Sequence, residues 1–436
     1  MQPRNAVIID AVRSPFGRGA KGKLAATRMD EVAAQVVRAL LARNPKVDPQ
    51  QIEDLAVGNV LGGGELSGLL SNAVSRIAEL PADVSSVTVN RQCGSSMQAL
   101  HMAARAVMTG SGEIALAAGV ERMGSAIVRN VGADTPLTRL HERVNQLPES
   151  IKRSSPSHEQ TFSTPPFPRW VWDSPGFPPM PQTGHNVAEV WKLSRQEMDA
   201  FALESHQKAD DAYRAGYYAG QLVPLEINEP LFDPEGKLDL SRQGPRTLFD
   251  RDECIRVSTL EKLATLQPIK GIVSYGGNSE VNITAGNSCP TNDGASAALV
   301  ASEERAKSLG IKPLLRIVSM AVAGVTPQLM GVGTVPASRK ALARAGISAK
   351  DIGLAEINEA FASQSIVTVR ELGLDPKIVN VNGGAIALGH PLGASGIRLF
   401  IGLGNEMRRR GNVRYGLATM CIGAGMGIAT VVEAVA

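Results

Sequence analysis

Four stretches of the chain hold side chains whose types and settings suit covalent chemistry at a carbonyl. In SSVTVNRQCGSSMQAL an apolar strand-like run ends at Asn90, and Cys93 follows at the entrance of a helix. Unsatisfied backbone N–H groups and the helix dipole at such an entrance favour a thiolate and lower its pKa, as a nucleophile requires. Taken alone, a cysteine in this setting is more often a small buried apolar residue. In AEINEAFASQ, Asn358 and Glu359 follow an apolar strand, so one of these polar side chains emerges at the carboxyl edge of a sheet, where α/β proteins place ligands. An ordinary helix cap by Asn358 explains the same pattern equally well. His390 lies among glycines in VNGGAIALGHPLGASG, a setting in which backbone approaches a substrate closely and the imidazole is fixed at a helix entrance. The last stretch, YGLATMCIGAGMGIATVV, reads as two strands joined by a tight bend with Cys421 at its tip and Gly423, Gly425 and Gly427 after it. Glycine N–H groups there can face an oxyanion, although an inert cysteine in a bulged hairpin is the simpler reading of this stretch by itself.

As a set, these residues match one demanding reaction. Making or breaking a carbon–carbon bond beside a thioester carbonyl needs a thiolate that becomes an acyl-enzyme and a base that activates it. It also needs a second acid/base and donors for two oxyanions. Two cysteines, one histidine, one asparagine and glycine N–H groups meet those needs.

The elements that would position them alternate in type. Strand-like runs at Ala6–Ile9, Leu55–Val60, Ser86–Val89 and Ile114–Ala118 are interleaved with helical patterns at Asp30–Arg43 and Ser95–Thr109, which predicts α/β layering with buried strands. The Cys93 helix presents Met97, Leu100, His101, Ala104, Val107 and Met108 at helical spacing and is alanine-rich all round, so it belongs between sheets. From about Arg122 to Lys270 the chain is richer in proline, aromatic and charged residues, with TFSTPPFPRWVWDSPGFPPMP the extreme; this is an insertion. A helix returns within it, where Met198, Phe201, Ala202 and Ser205 share a face. After Asn292 the alternation resumes and echoes the first part about 300 residues on. DIGLAEI repeats QIEDLAVGNV, VNVNGG repeats VTVNRQ, and YGLATMCIGAG repeats EIALAAGVERM, so two similar halves are implied.

Composition removes several other functions. Of 436 residues, Lys and Arg number 45 against 42 Asp and Glu, a formal charge of +3 that gives no reason to expect nucleic acid as a partner. No apolar run approaches the roughly 18 residues of a membrane span. The four cysteines (Cys93, Cys254, Cys289, Cys421) fit neither a disulfide framework nor a metal site, so reduced thiols and a cytoplasmic location are expected. Neither end reads as a targeting signal.

At this point the chain resembles the thiolase family, and within it the degradative 3-ketoacyl-CoA thiolases. The resemblance spans nearly the whole chain through IIDAVRSPFGR, VNRQCGSSMQAL, SRQEMDAFALESHQKA, TAGNSCPTNDGASA, GVGTVPASRKALARAG, EINEAFA, NGGAIALGHPLGASG and CIGAGMG. It implies a five-layered αβαβα fold of two pseudo-duplicated halves. The first half would be 1–121, completed by about 281–310; the inserted loop domain 122–280; the second half 311–436. It implies Cys93 as the acylated nucleophile, His390 as its activator and Cys421 as the acid/base toward the carbanion. Asn358 would hold a water that forms one oxyanion hole with His390; the N–H groups of Cys93 and Gly423 would form the other. Coenzyme A would be a substrate and not a tightly bound cofactor, contacted by Arg256, Ser288, Cys289, Met180 and Met330. Dimers or tetramers, and in some cases a hydratase/dehydrogenase subunit of fatty-acid β-oxidation, are the partners the resemblance implies.

Departures from the family pattern concern the substrate. Cys289 stands where members commonly carry a serine, Pro290 replaces a small residue, and Met180 keeps its place within the altered PMPQTGHN. The stretches around Arg153 to Pro179 and at SYGGNSEVN are longer than usual, and packing of Trp170 and Trp172 within the loop domain is favoured over a role lining an acyl tunnel. Two alternatives stand beside the degradative enzyme: a biosynthetic acetoacetyl-CoA thiolase, and a non-catalytic acyl-CoA- or lipid-binding relative.

Overall fold

The strand Ala6–Arg13 (β1) is buried along nearly its whole length, as its run AVIIDAV demands of a strand covered on both faces. In the computed structural model, which describes residues 4–124, 161–163, 167–173, 176–277 and 280–435, it sits near the middle of one long sheet. The other strands are Gly17–Arg18 (β2), Asp54–Gly58 (β3), Ser85–Val89 (β4), Ile114–Arg122 (β5), Leu225–Asn228 (β6), Arg246–Phe249 (β7), Asn292–Ser302 (β8), Leu315–Gly324 (β9), Ile352–Ile357 (β10), Tyr415–Ile422 (β11) and Met426–Glu433 (β12). Their order is β10-β11-β12-β9-β1-β8-β5-β3-β4, with β2 beside β8; β6 and β7 form a separate hairpin.

The internal echo is visible in this order. β3 runs parallel to β5, which pairs antiparallel with β8, which pairs antiparallel with β1. Likewise β10 is parallel to β11, followed by antiparallel β12 and β9. The two sets meet through a short pairing of Val7 and Ile8 with Arg316 and Leu315. One repeated piece differs. The VNVNGG run, matched in sequence to β4, forms no strand, and only a bridge from Ala355 to Val379 stands in that place. Asn380, with φ of 44°, takes over instead: its side chain accepts from Ile357 N–H and donates to Ile357 C=O, doing for β10 what a neighbouring strand's backbone would do.

Three apolar cores separate the layers. The first packs the helices Met29–Arg43 and Leu70–Ile77 on the outer face of the first half. The second encloses the helices Ser95–Met108 and Ser395–Arg410 between the strands of both halves. The third packs Thr334–Ala345 and Ala362–Leu372 on the far face of the second half. Burial at 0% of Met97, Leu100, His101, Ala104 and Val107 accounts for the apolar-all-round pattern of the Cys93 helix.

Within the insertion, Ser194 caps the helix Arg195–Arg214 by accepting the Glu197 N–H, and Met198, Ala202 and Ser205 turn inward. Asp252 anchors this region to β1 through a fully buried bidentate pair with Arg13 and bonds from Tyr213 Oη and Phe16 N–H. The Trp170 ring stacks on Tyr275, and Trp172 packs against Phe167, which also meets Phe162 and Trp191. Of the longer segment read at Arg153 to Pro179, Arg153 and its neighbours lie outside the described residues.

Candidate active site

Cys93 leaves β4 through a constrained turn in which Gln92 holds a φ of 46°. Its sulfur accepts the N–H of Gly423, the first residue past β11. Contact between these segments is close: a Cβ added at Gly94 would lie 2.8 Å from Ile422 Cδ1. The helix expected to lower the thiol pKa begins at Ser95, two residues on. Burial dominates and pushes the Cys93 thiol up to about 11, with the Gly423 N–H pulling back only in part. Any lowering by the helix entrance is thus outweighed by burial, which favours the thiol.

His390 presents a buried, uncharged imidazole. Burial, aided by the positive charge of Arg398, drives its pKa down to about 3, so the ring is neutral at physiological pH. Its Nδ1 lies 2.7 Å from Ser395 Oγ, and that hydroxyl donates to the Pro391 carbonyl. Ser395 Oγ consequently accepts from Nδ1–H, and the hydrogen-bond network assigns the lone pair to Nε2. The backbone is held as firmly. His390 N–H donates to Asn292 Oδ1, while Asn292 Nδ2 donates to the Gly17 carbonyl and Cys254 Sγ. Gly389 has a φ of 109°, and a Cβ there would lie 2.7 Å from Asn292 Cγ, so only glycine fits before the histidine.

Asn358 follows β10 and points its amide nitrogen at the ring, 3.3 Å from Nε2 and 3.4 Å from Nδ1. The helix after it starts at Ala362, so the helix-cap reading of Asn358 is set aside. Glu359 serves differently. Its carboxylate accepts from Ser205 Oγ, Asn380 Nδ2 and Ile386 N–H, binding the insertion's long helix to the Asn358 loop.

Cys421 is inside β11, paired with Gly427, and not at the bend; the turn comes two residues later, where Ala424 and Gly425 have φ of 66° and 81°. Its S–H lies 3.8 Å from Gln364 Oε1. Burial pushes this thiol well above its ordinary range, and the nearby Cys93 and Cys289 sulfurs raise it further. Three thiols therefore share one neighbourhood. Glu121, at the end of β5, accepts N–H bonds from Val60, Leu61 and Gly393 and one from Asn59 Nδ2, fastening the His390 loop to the first half.

Of the residues expected to contact coenzyme A, Cys289 donates its N–H to the Ala360 carbonyl and Ser288 bridges to Phe361, which puts both beside the Asn358 loop. Met330 is buried in the turn of helix before Thr334. Met180 opens the helix Met180–Val190 and is 39% exposed. Arg256 is exposed, with its N–H on His206 Nδ1. Gln364, Ser395, Asn292 and Glu121 were not singled out from sequence, since nothing in their spacing marks them. Among the described residues there is no cluster of metal-ligating side chains and no helix long and apolar enough to cross a membrane.

A neutral imidazole, two buried thiols and a backbone N–H on one sulfur, set where two α/β halves meet, define a cysteine-dependent acyl-transfer enzyme. Comparison with known proteins makes the class specific. The descriptions "Thiolase, N-terminal domain" and "Thiolase, C-terminal domain" match residues 6–304 and 311–434. A 3-ketoacyl-CoA thiolase of Serratia proteamaculans (strain 568) is 43% identical over 99% of this chain and 100% of its own length. The 3-oxoadipyl-CoA/3-oxo-5,6-dehydrosuberyl-CoA thiolase of Escherichia coli (strain K12) is 41% identical, with 99% and 100% covered. The crystal structure of the Bacillus anthracis acetyl-CoA acetyltransferase superposes with a TM-score of 0.80 at 33% identity, covering all of both chains. The chain belongs to the thiolase family and is an acyltransferase.

Proposed function

We propose that this thiolase cleaves 3-oxoacyl-CoA with free coenzyme A, giving acetyl-CoA and a shortened acyl-CoA, as a step of fatty-acid β-oxidation. The observation that carries the reading is the seating of the Cys93 sulfur on the Gly423 N–H in the neighbourhood of the Cys421 thiol. His390 Nε2 takes the Cys93 proton, and the sulfur attacks the 3-oxo carbon. The C2–C3 bond breaks with its electron pair moving to C2, and Cys421 S–H protonates C2 to release acetyl-CoA. Coenzyme A then gives its thiol proton to the Cys421 thiolate and attacks the acyl-cysteine. Cys93 departs and recovers its proton from His390. The N–H groups of Cys93 and Gly423 serve one oxyanion; Asn358, with a water, and protonated His390 serve the other. Asn358 Oδ1, a buried acceptor with no partner among the described residues, is compatible with an ordered water there.

Coenzyme A is a substrate in this reading, contacted by Cys289, Ser288, Met330, Met180 and Arg256. A cytoplasmic homodimer or homotetramer, with a hydratase/dehydrogenase subunit as possible companion, completes it. The fully covered match to an acetyl-CoA acetyltransferase favours one second reading, the biosynthetic enzyme acting on acetoacetyl-CoA alone. Thiolysis of 3-oxoacyl-CoA substrates of increasing length, with 3-oxoadipyl-CoA included, separates the two. Turnover of long chains supports the degradative reading; turnover of acetoacetyl-CoA alone overturns it.

A further inference from the structure

The contact between Cys421 and Gln364 is not used by the mechanism above, yet it touches the thiol on which that mechanism depends. Gln364 stands in the first turn of the helix Ala362–Leu372 and is completely buried. Its Oε1 accepts three hydrogens: the Ala360 N–H at 3.1 Å, the Phe361 N–H at 3.4 Å, and the Cys421 S–H at 3.8 Å. The two backbone donors settle the amide's orientation, because turning it over would set its NH2 against both of them. The stem is equally confined. A Cβ added at Gly331 would lie 2.6 Å from Gln364 Cβ and 2.9 Å from its Cγ. The orientation leaves Gln364 Nε2 buried without a partner among the described residues, and such a group calls for an explanation beyond packing.

We infer that Gln364 is the positioning residue of the second thiol: its clamped carbonyl oxygen holds the Cys421 S–H and favours the protonated form. This rests on the proposed role of Cys421 as proton carrier. An acceptor fixed on a sulfhydryl stabilises the neutral state and has nothing to offer the thiolate. The thiolate left after C2 is protonated is therefore a strong base, suited to taking the proton of the incoming coenzyme A. The clamp also fixes the Asn358 loop, since Ala360 and Phe361 are its next residues, so one amide links the positions of the asparagine and the thiol.

The test separates this role from simple packing. With Cys93, Cys254 and Cys289 replaced by serine, Cys421 is the only thiol, and its ionisation is followed by thiolate ultraviolet absorbance against the cysteine-free protein. Gln364→Met, which fills the space without an acceptor, lowers the midpoint by roughly half a unit to one unit. Gln364→Glu, which keeps the acceptor for both backbone donors and adds negative charge, raises it. In the protein with all cysteines, Gln364→Met slows deuterium exchange at C2 of acetyl-CoA about 3- to 10-fold, and slows acetylation of Cys93 by acetyl-CoA less. Unchanged midpoints in both folded variants overturn the inference, as does an equal loss of acylation and exchange. If Gln364→Met fails to fold, an unmoved midpoint in Gln364→Glu overturns it alone. Failure of the underlying reading has its own signature, C2 exchange persisting in Cys421→Ala, and the midpoint measurement does not depend on it.

Discussion

Replacing Ser395 by alanine isolates what holds the His390 ring in its working tautomer. The hydroxyl is fully buried, accepts from Nδ1–H at 2.7 Å and passes its own proton to the Pro391 carbonyl at 2.8 Å. Alanine leaves the Nδ1–H without a partner in a dry site, a cost of about 1–3 kcal/mol. It also frees the ring to carry its proton on Nε2, where it cannot accept from Cys93. With a factor of ten per ~1.4 kcal/mol, acylation of Cys93 slows by roughly 5- to 150-fold. The assay is single-turnover acylation by 3-oxoacyl-CoA, followed by mass spectrometry of the Cys93 peptide, with the unfolding midpoint measured in parallel. Acylation at the parental rate in the folded variant would refute the tautomer assignment, and with it the role of Nε2 as base.

Other perturbations address the remaining parts. Cys93→Ser abolishes acetylation by acetyl-CoA, whereas Cys421→Ser slows carbon–carbon cleavage of 3-oxoacyl-CoA far more than that acetylation; rapid quench with each donor resolves the two, and equal loss with both contradicts the division. Gly393→Ala places a Cβ 2.6 Å from the Val120 carbonyl and 2.8 Å from that of Gly58, so the His390 loop shifts and kcat falls at least tenfold with the fold retained by circular dichroism. Burial holds His101 and His390 near pKa 3 and His206 near 4, all below 6.5. The unfolded chain thus binds more protons in this window, and stability is lost as pH falls from 6.5 toward those values. At pH 5 each contributes about 2 kcal/mol of destabilisation. His101→Gln, which can keep the bond to Thr430, flattens the urea-midpoint profile between pH 7 and 5.

Much of this was legible because it rests on periodicity. β1, β3, β4 and β5 appear within a few residues of the apolar runs, and the repeated β–α order is the duplicated strand order. What stayed hidden depends on long-range contact. The pKa of Cys93 is governed by how deeply its neighbours bury it, which no local pattern near residue 93 records. Gln364 meets Cys421 across 57 residues, and Glu121 reaches Gly393 across 272; glutamine and glutamate at those points look like any helix or strand-end residue. The VNVNGG mismatch is local but conformational, since one left-handed asparagine substitutes for a strand that hydrophobicity alone predicts. Cys421 was displaced from the bend because glycines on both sides of a turn do not say which residue heads it.

The place of β8 has a consequence for how the polypeptide is born. It inserts between β1 and β5, pairing with both, although some 170 residues separate it from β5. As the chain leaves the ribosome, the first half waits with two unsatisfied strand edges while the entire insertion is synthesised, and its sheet closes only when Asn292–Ser302 emerges. Growth from the amino terminus therefore completes the first half only after the whole insertion has emerged, and the second half follows it. A fragment ending before residue 292 lacks the central strand of its own sheet and is prone to aggregation.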